Sequence, residues 1–304
     1  MVEPELRWHN LHMSRLAVLK QLAVEMASSK DAHRVPEPSL IMDNPAQVAA
    51  FREAGLQDGV MAPVYLFHCA QVCELVRPHE TVLDLGCGPA NQLAMIARLN
   101  PDTNFIGIDL SDEMLARGEE TIHAQGLRNI YLRKGDITRL EGFADGSVAA
   151  VYSTMVLHHL ENAAQLAATF GEANRVLRPG GGVYLVDFGH LKTQTVIRYF
   201  ANQYADRQPH LFTTDYLNSL HAAFELADWK AAYDRHLRGR ARLYSTFLVP
   251  YMIALKSRAR RALPPALSGA LSELRCRLPP HHQVDFTNLR NFFRLGGLRL
   301  PNFN

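Results

Sequence analysis

The apolar positions of this chain switch between a helical and an extended period, and the switches delimit its elements. Leu11, Val18, Leu19, Leu22 and Met26 recur at helical spacing. V-P-E-P-S at Val35 to Ser39 then breaks the chain, Ala46 to Ala54 predicts a second helix, and Val64 to Val76 a third that runs into Pro78. Beyond it, short β-type runs alternate with helical ones. Thr81 to Leu83, Phe105 to Ile108, Ile130 to Arg133, the end of Asp145 to Ser153, Val183 to Phe188 and Leu243 to Val249 are the expected strands. Gln92 to Leu99, the segment opened by Ser111, Gln165 to Leu177 and Thr213 to Phe224 are the expected helices.

This alternation predicts an α/β fold, a Rossmann-like doubly wound sheet that is mostly parallel with an antiparallel last strand. Residues 1–78 form a helical N-terminal cap and 79–250 the sheet domain, with an insertion at 189–215; 251–304 are a basic C-terminal extension. The insertion carries His190, Tyr199, Phe200, Tyr204, His210 and Phe212, an aromatic set suited to a flat, partly apolar ligand.

At 304 residues and 47% hydrophobic, the chain can bury a large core and is not extensively disordered. The net charge of +2 hides an asymmetry: residues from Lys230 onward hold 14 Lys and Arg against 3 Asp and Glu, and the first 229 residues 18 against 27. A basic end of this kind suits a packed helical cap, a contact between two copies, or an anionic partner. The four cysteines, Cys69, Cys73, Cys87 and Cys276, suggest no disulfide framework, and a reducing cytoplasm is the expected location. Cys69 and Cys73 share a helix face beside His68 and are read as core, so no metal is expected. Arg15, Lys20 and Glu25 interrupt the N-terminal apolar pattern, which argues against a signal peptide. Tyr244 to Leu255, with Ser245, Thr246 and Pro250 inside it, is too short for the roughly 20 residues of a membrane span, so no membrane partner is expected.

The chemistry concentrates in Thr81 to Met114. Gly86 and Gly88 follow the first strand and let the backbone turn toward a ligand, and the next helix presents its N-terminal N–H groups there. Asp109 ends the second strand 21 residues after Gly88, near the spacing of about 20 at which an acidic side chain receives ribose hydroxyls. Dinucleotide sites require G-x-G-x-x-G, and here the third position is Asn91. The order Asp84, Gly86, Gly88, Ala90 instead resembles motif I of the class I S-adenosylmethionine-dependent methyltransferases, with Ala90 where a third glycine is usual.

Later landmarks extend the resemblance over about residues 65–250 and toward the UbiE-like small-molecule group: K-G-D-I at Lys134 to Ile137, L-H-H at Leu157 to His159, and R-V-L-R-P-G-G before the fifth strand. It implies S-adenosylmethionine as cofactor, with Asp84, Gly86 and Gly88 at its methionine end, Asp109 at the ribose, Asp136, Ile137 and Met114 at the adenine, and Cys87 and Leu110 also in the cofactor site. Tyr65 is expected against the sulfonium and Ser153 beside the same site.

His158 is the expected catalytic residue, as a general base or a wall of the acceptor pocket. Adjacent side chains in regular structure point apart, so His159 is expected to pack or be solvated. The expected activity is in-line methyl transfer to a small-molecule acceptor of aromatic, quinone-like or natural-product character. The alternatives are an RNA or protein methyltransferase using the basic extension, or a non-catalytic S-adenosylmethionine-binding assembly protein. No N-P-P-Y-like or Pro-Cys segment follows the fourth strand, which counts against methylation of nucleic-acid bases.

Overall fold

The computed structural model describes residues 15–39, 41–56 and 58–301; Leu11 lies outside them. In chain order the helices α1 (Arg15–Ala27), α2 (Pro45–Ala54) and α3 (Ala62–Cys73) precede strand β1 (Thr81–Leu85). There follow α4 (Asn91–Leu99), β2 (Asn104–Asp109), α5 (Asp112–Ala124), β3 (Ile130–Lys134) and β4 (Val148–Thr154). Then come α6 (Ala163–Val176), β5 (Leu177–Phe188), α7 (Gln194–Asn202), α8 (His210–Ala222) and α9 (Leu226–His236). A hairpin of β6 (Ala241–Ser245) and β7 (Met252–Ser257) leads to α10 (Pro265–Arg277) and α11 (Pro280–Leu295).

The sheet has seven strands in the order β3-β2-β1-β4-β5-β7-β6. The first five are parallel, and β7 runs antiparallel beside β5. Strand alternation sorts the side chains onto two cores. Val82, Tyr152, Tyr184 and Val186 face Phe67, Leu93 and Ile96, while Leu83, Val151, Leu185 and Leu255 face Leu166, Phe170 and Trp229. With both faces covered, β1, β4 and β5 read as near-continuous apolar runs, as parallel strands do. The strand order reverses between β1 and β4, and ligands of such sheets bind outside that crevice at the carboxyl ends of the strands.

The end of the sheet corrects one expectation. The strand predicted at Leu243 to Val249 is β6, which stops at Ser245, and β7 begins at Met252. Thr246 closes the turn: its hydroxyl donates to the Val249 carbonyl at 2.7 Å and accepts from the Met252 N–H at 3.1 Å. The expected boundary at residue 250 therefore falls inside a hairpin. Helix α6 likewise begins two residues early, because Asn162 caps it by accepting from Ala164 and Gln165.

Helices α10 and α11 pack on α3, where Phe293 stacks on Phe67 at a centroid distance of 5.2 Å. Much of the K-S-R-A-R-R run is turned inward there. Lys256 pairs with Glu74 at 2.5 Å, Arg260 with Glu80 at 2.7 Å, and the Arg261 Nε–H donates to the Cys73 carbonyl at 2.9 Å. Cys69 and Cys73 are buried in the core, and the neighbouring His68 lies 2.6 Å from the Tyr184 hydroxyl. Burial depresses the His68 pKa to about 3, so this imidazole is neutral.

Arg260 also donates to the Leu75 and Gly180 carbonyls, joining the extension to the α3–β1 connection and to the start of β5. Arg260→Ala removes two hydrogen bonds to Glu80 but leaves it paired with Arg178, so a loss of about 1.5 to 3 kcal/mol is expected, the range for hydrogen bonds to a charged group. Urea unfolding of parent and variant measures it as a lowered midpoint.

Candidate functional site

The glycine turn after β1 is held in left-handed backbone. Gly86 and Gly88 have φ of 77° and 51°, and Ala90, at the departure from the usual glycine, has φ of 58°. A Cβ on Gly86 would meet Val156 Cγ2 at 2.4 Å, so any other residue there would have to displace Val156 as well as adopt left-handed backbone. Asn91 occupies the position at which dinucleotide sites need bare backbone, and its Nδ2–H donates to the Arg52 carbonyl of α2 at 3.0 Å. The cap is thereby tied to the turn.

Asp109 links that turn to the end of β2. One carboxylate oxygen accepts the Gly88 N–H and the other the Ser111 N–H, each at 2.9 Å. Burial pushes the Asp109 pKa above the ordinary carboxylate value against the opposing pull of these N–H groups. Asp84 lies deeper, and burial together with the Asp109 charge raises its pKa to about 8. Asp136 accepts from the Thr138 N–H and hydroxyl at 2.7 Å through one oxygen.

One cavity brings these groups together. Tyr65, Asp84, Gly86, Cys87, Gly88, Asp109, Leu110, Met114, Asp136, Ile137 and His158 all line it. Ser153 does not: it is fully buried, and its hydroxyl donates to the Leu85 carbonyl at 2.8 Å across the sheet. The wall at that level is Thr154 to Val156 instead. Thr154 hydrogen-bonds Gln92, whose amide also donates to the Tyr65 carbonyl at 3.3 Å.

Of the two histidines, His159 differs from expectation. Leu157–His159 is a 3₁₀ turn, in which successive side chains are about a third of a turn apart rather than opposed, so both rings face the cavity. His158 is fixed by Asp187 at the end of β5: its N–H donates to one carboxylate oxygen and its Nδ1–H to the other, both at 2.8 Å. Burial alone would depress the His158 pKa, but the Asp187 and Glu37 carboxylates outweigh it and hold it above the ordinary value. Burial and the His158 charge depress His159 to about 3.

Glu37 belongs to the segment that the proline pair marked only as a break. That segment lies beside the two histidines and is anchored by Arg34, whose guanidinium donates to the carbonyls of Ala222 at 2.8 Å, Glu161 at 2.6 Å and Leu160 at 2.5 Å. It also sits 3.9 Å from the Phe224 ring centroid. Glu37 and Arg34 were not foreseen, because no periodicity marks an irregular segment whose partners lie more than a hundred residues away. A second, largely apolar chamber lined by Leu22, Phe200, Tyr204, Tyr251 and Phe292 shares Met61, Met155, Phe188, Phe212 and Tyr216 with the first. His190, Tyr199 and His210 of the insertion line neither chamber. Among the described residues no helix is long and apolar enough to cross a membrane.

Residues 82–181 match the family described as "Methyltransferase domain". Arsenite methyltransferase of Halobacterium salinarum is 37% identical over 37% of this chain and 28% of its own length. A tRNA (guanine-N(7)-)-methyltransferase of Bacteroides thetaiotaomicron is 26% identical over 57% of this chain and 69% of its own. Among solved structures, a SAM-dependent methyltransferase of Aquifex aeolicus superposes with a TM-score of 0.50 at 16% identity, covering 71% of this chain and 98% of that one, a likeness of fold. The chain spans about a third of the length of curated relatives such as the arsenite methyltransferase, so that similarity is one of domains.

The raised Asp84 pKa has a consequence for stability. Its carboxyl is neutral in the fold and ionised in the unfolded chain between the ordinary value of 3.8 and about 8. Stability present at low pH is therefore lost as pH rises through that window, with no further loss above it. Asp84→Asn removes this dependence. The stability difference between variant and parent, measured by urea unfolding at several pH values, is expected to widen in the variant's favour up to about pH 8 and then stay constant.

Proposed function

Residues 82–181 form a class I S-adenosylmethionine-dependent methyltransferase domain, and from that premise we propose that the whole chain transfers a methyl group to a small-molecule acceptor. The observation that carries the proposal is the meeting of the Asp84, Asp109 and Asp136 carboxylates with the Asp187-held His158 on one cavity wall. The donor set suits the cofactor. The Asp109 carboxylate accepts the Gly88 and Ser111 N–H groups with the Leu110 N–H beside them and retains acceptor capacity for the ribose hydroxyls, and Asp136 keeps one oxygen for the adenine amine. Asp84, held protonated by burial, is ionised readily by an ammonium group placed beside it. Gly86, Cys87 and Gly88 allow backbone to approach the methionine end, Leu110, Met114 and Ile137 supply apolar contact, and Tyr65 offers a ring face to a sulfonium.

When bound, S-adenosylmethionine supplies an electrophilic methyl group on a positively charged sulfur. The protein aligns the acceptor with that methyl and keeps water away, and such positioning accounts for about 7 to 11 kcal/mol in favourable cases. The His158 Nδ1–H stays on Asp187, so Nε2 is the nitrogen that takes a proton from an attacking O–H, N–H or C–H group. The aromatic chamber around Phe188, Phe212 and Tyr216 supports a flat, partly apolar acceptor of metabolite size. An RNA acceptor, suggested by the tRNA methyltransferase relative, is less well supported, because Lys256, Arg260 and Arg261 of the basic extension are engaged internally.

Asp109→Ala is expected to weaken S-adenosylmethionine binding by about tenfold to a hundredfold, the value of a hydrogen bond to a charged group. Calorimetry that finds the affinity unchanged would overturn the ribose assignment. His158→Ala is expected to lower methyl transfer by about 10²- to 10⁴-fold while leaving cofactor affinity intact. Turnover of labelled methyl donor against a metabolite extract measures it, and unchanged turnover removes the base.

A further inference from the structure

Beside the part of the cavity wall formed by His158 and His159, three side chains able to ligate a cation converge from two segments. One ligand atom each of Glu37, His158 and His159 lies within 4.8 Å of the other two. Both rings have one nitrogen already committed. His158 gives its Nδ1–H to Asp187, so in its neutral form, which an incoming cation favours, Nε2 offers a lone pair. His159 hydrogen-bonds the Ser39 backbone through one nitrogen, and its Nδ1 is buried with no partner. A buried acceptor without a donor destabilises the fold unless something fills it.

We infer that Glu37, His158 and His159 form a binding site for a divalent transition-metal ion. Two neutral imidazoles and one carboxylate are the donor set of first-row metals such as zinc, iron or cobalt, whereas magnesium and calcium prefer oxygen ligands alone. Asp187 supplies what a ligating histidine requires behind it, a carboxylate on the remaining ring N–H that fixes tautomer and orientation. Ligand bonds of about 2.0 to 2.2 Å require the three atoms to draw together. The Glu37 side chain, now accepting a 3.0 Å hydrogen bond from the Ser219 hydroxyl, would exchange that bond for the ion.

The site stands on its own geometry; only its consequence rests on the methyl-transfer reading. An ion on Nε2 occupies the nitrogen that otherwise takes the acceptor's proton, so metal occupancy and base function exclude one another at His158.

Zinc titrated into the full chain by calorimetry tests the site, with the visible absorption of cobalt as a second readout. One ion per chain is expected, and Glu37→Gln and His159→Gln should each weaken binding by about tenfold or more. S-adenosylmethionine affinity in the same variants should be unchanged, which also shows that they fold. Asp109→Ala is expected to behave conversely, losing S-adenosylmethionine and keeping zinc, so failure of either assignment is visible separately. Absence of saturable zinc binding by the parent, or equal zinc affinity in parent and both variants, overturns the site.

Discussion

The hydrogen bond from the Gly88 N–H to the Asp109 carboxylate is the constraint around which the cavity is built. It joins two loops that leave neighbouring parallel strands, and it requires left-handed backbone at Gly86, Gly88 and Ala90 to bring the N–H to the acid. The second oxygen of the same carboxylate receives the Ser111 N–H at the start of α5, so turn, strand end and helix start are positioned by one group. That group is buried and resists ionisation, as Asp84 does behind it. Two carboxyls kept from water in a small volume are costly to a resting protein and useful to one that receives a cation and a pair of hydroxyls.

The additions to the sheet domain serve this cavity from different directions. Helix α2 reaches the glycine turn through Arg52 and Asn91, and Phe51, Met61 and Tyr65 complete the wall. The segment between α1 and α2 is clamped by Arg34 to the loop after the 3₁₀ turn, so Glu37 and the two histidines are held in one neighbourhood by backbone carbonyls rather than by charge. Helices α7 and α8 add the aromatic chamber.

The opposed charges of the two halves of the chain find each other inside the molecule. Lys256 and Arg260 meet Glu74 and Glu80 at the junction of α3, β1 and the final hairpin, with Arg178 on Glu80 as well. Part of an imbalance that suggests an external anionic partner is thus used to attach the extension.

What the sequence by itself determined is local. A glycine turn, an acid at the expected spacing and alternating strand and helix periods depend on near neighbours, and Asp84, Gly86, Gly88, Asp109, Asp136 and His158 were all legible for that reason. What only the tertiary structure decided depends on residues far apart in the chain. Ser153 and Thr154 are consecutive, and only the strand register says that the first faces Leu85 and the second the cavity. His159 turns inward because the segment coils into a 3₁₀ turn rather than remaining extended. Glu37 comes to lie beside the two histidines because Arg34 is pinned to carbonyls 124 to 188 residues away. Hydrogen bonds to backbone carbonyls leave no mark on side-chain pattern, since every residue offers the same acceptor.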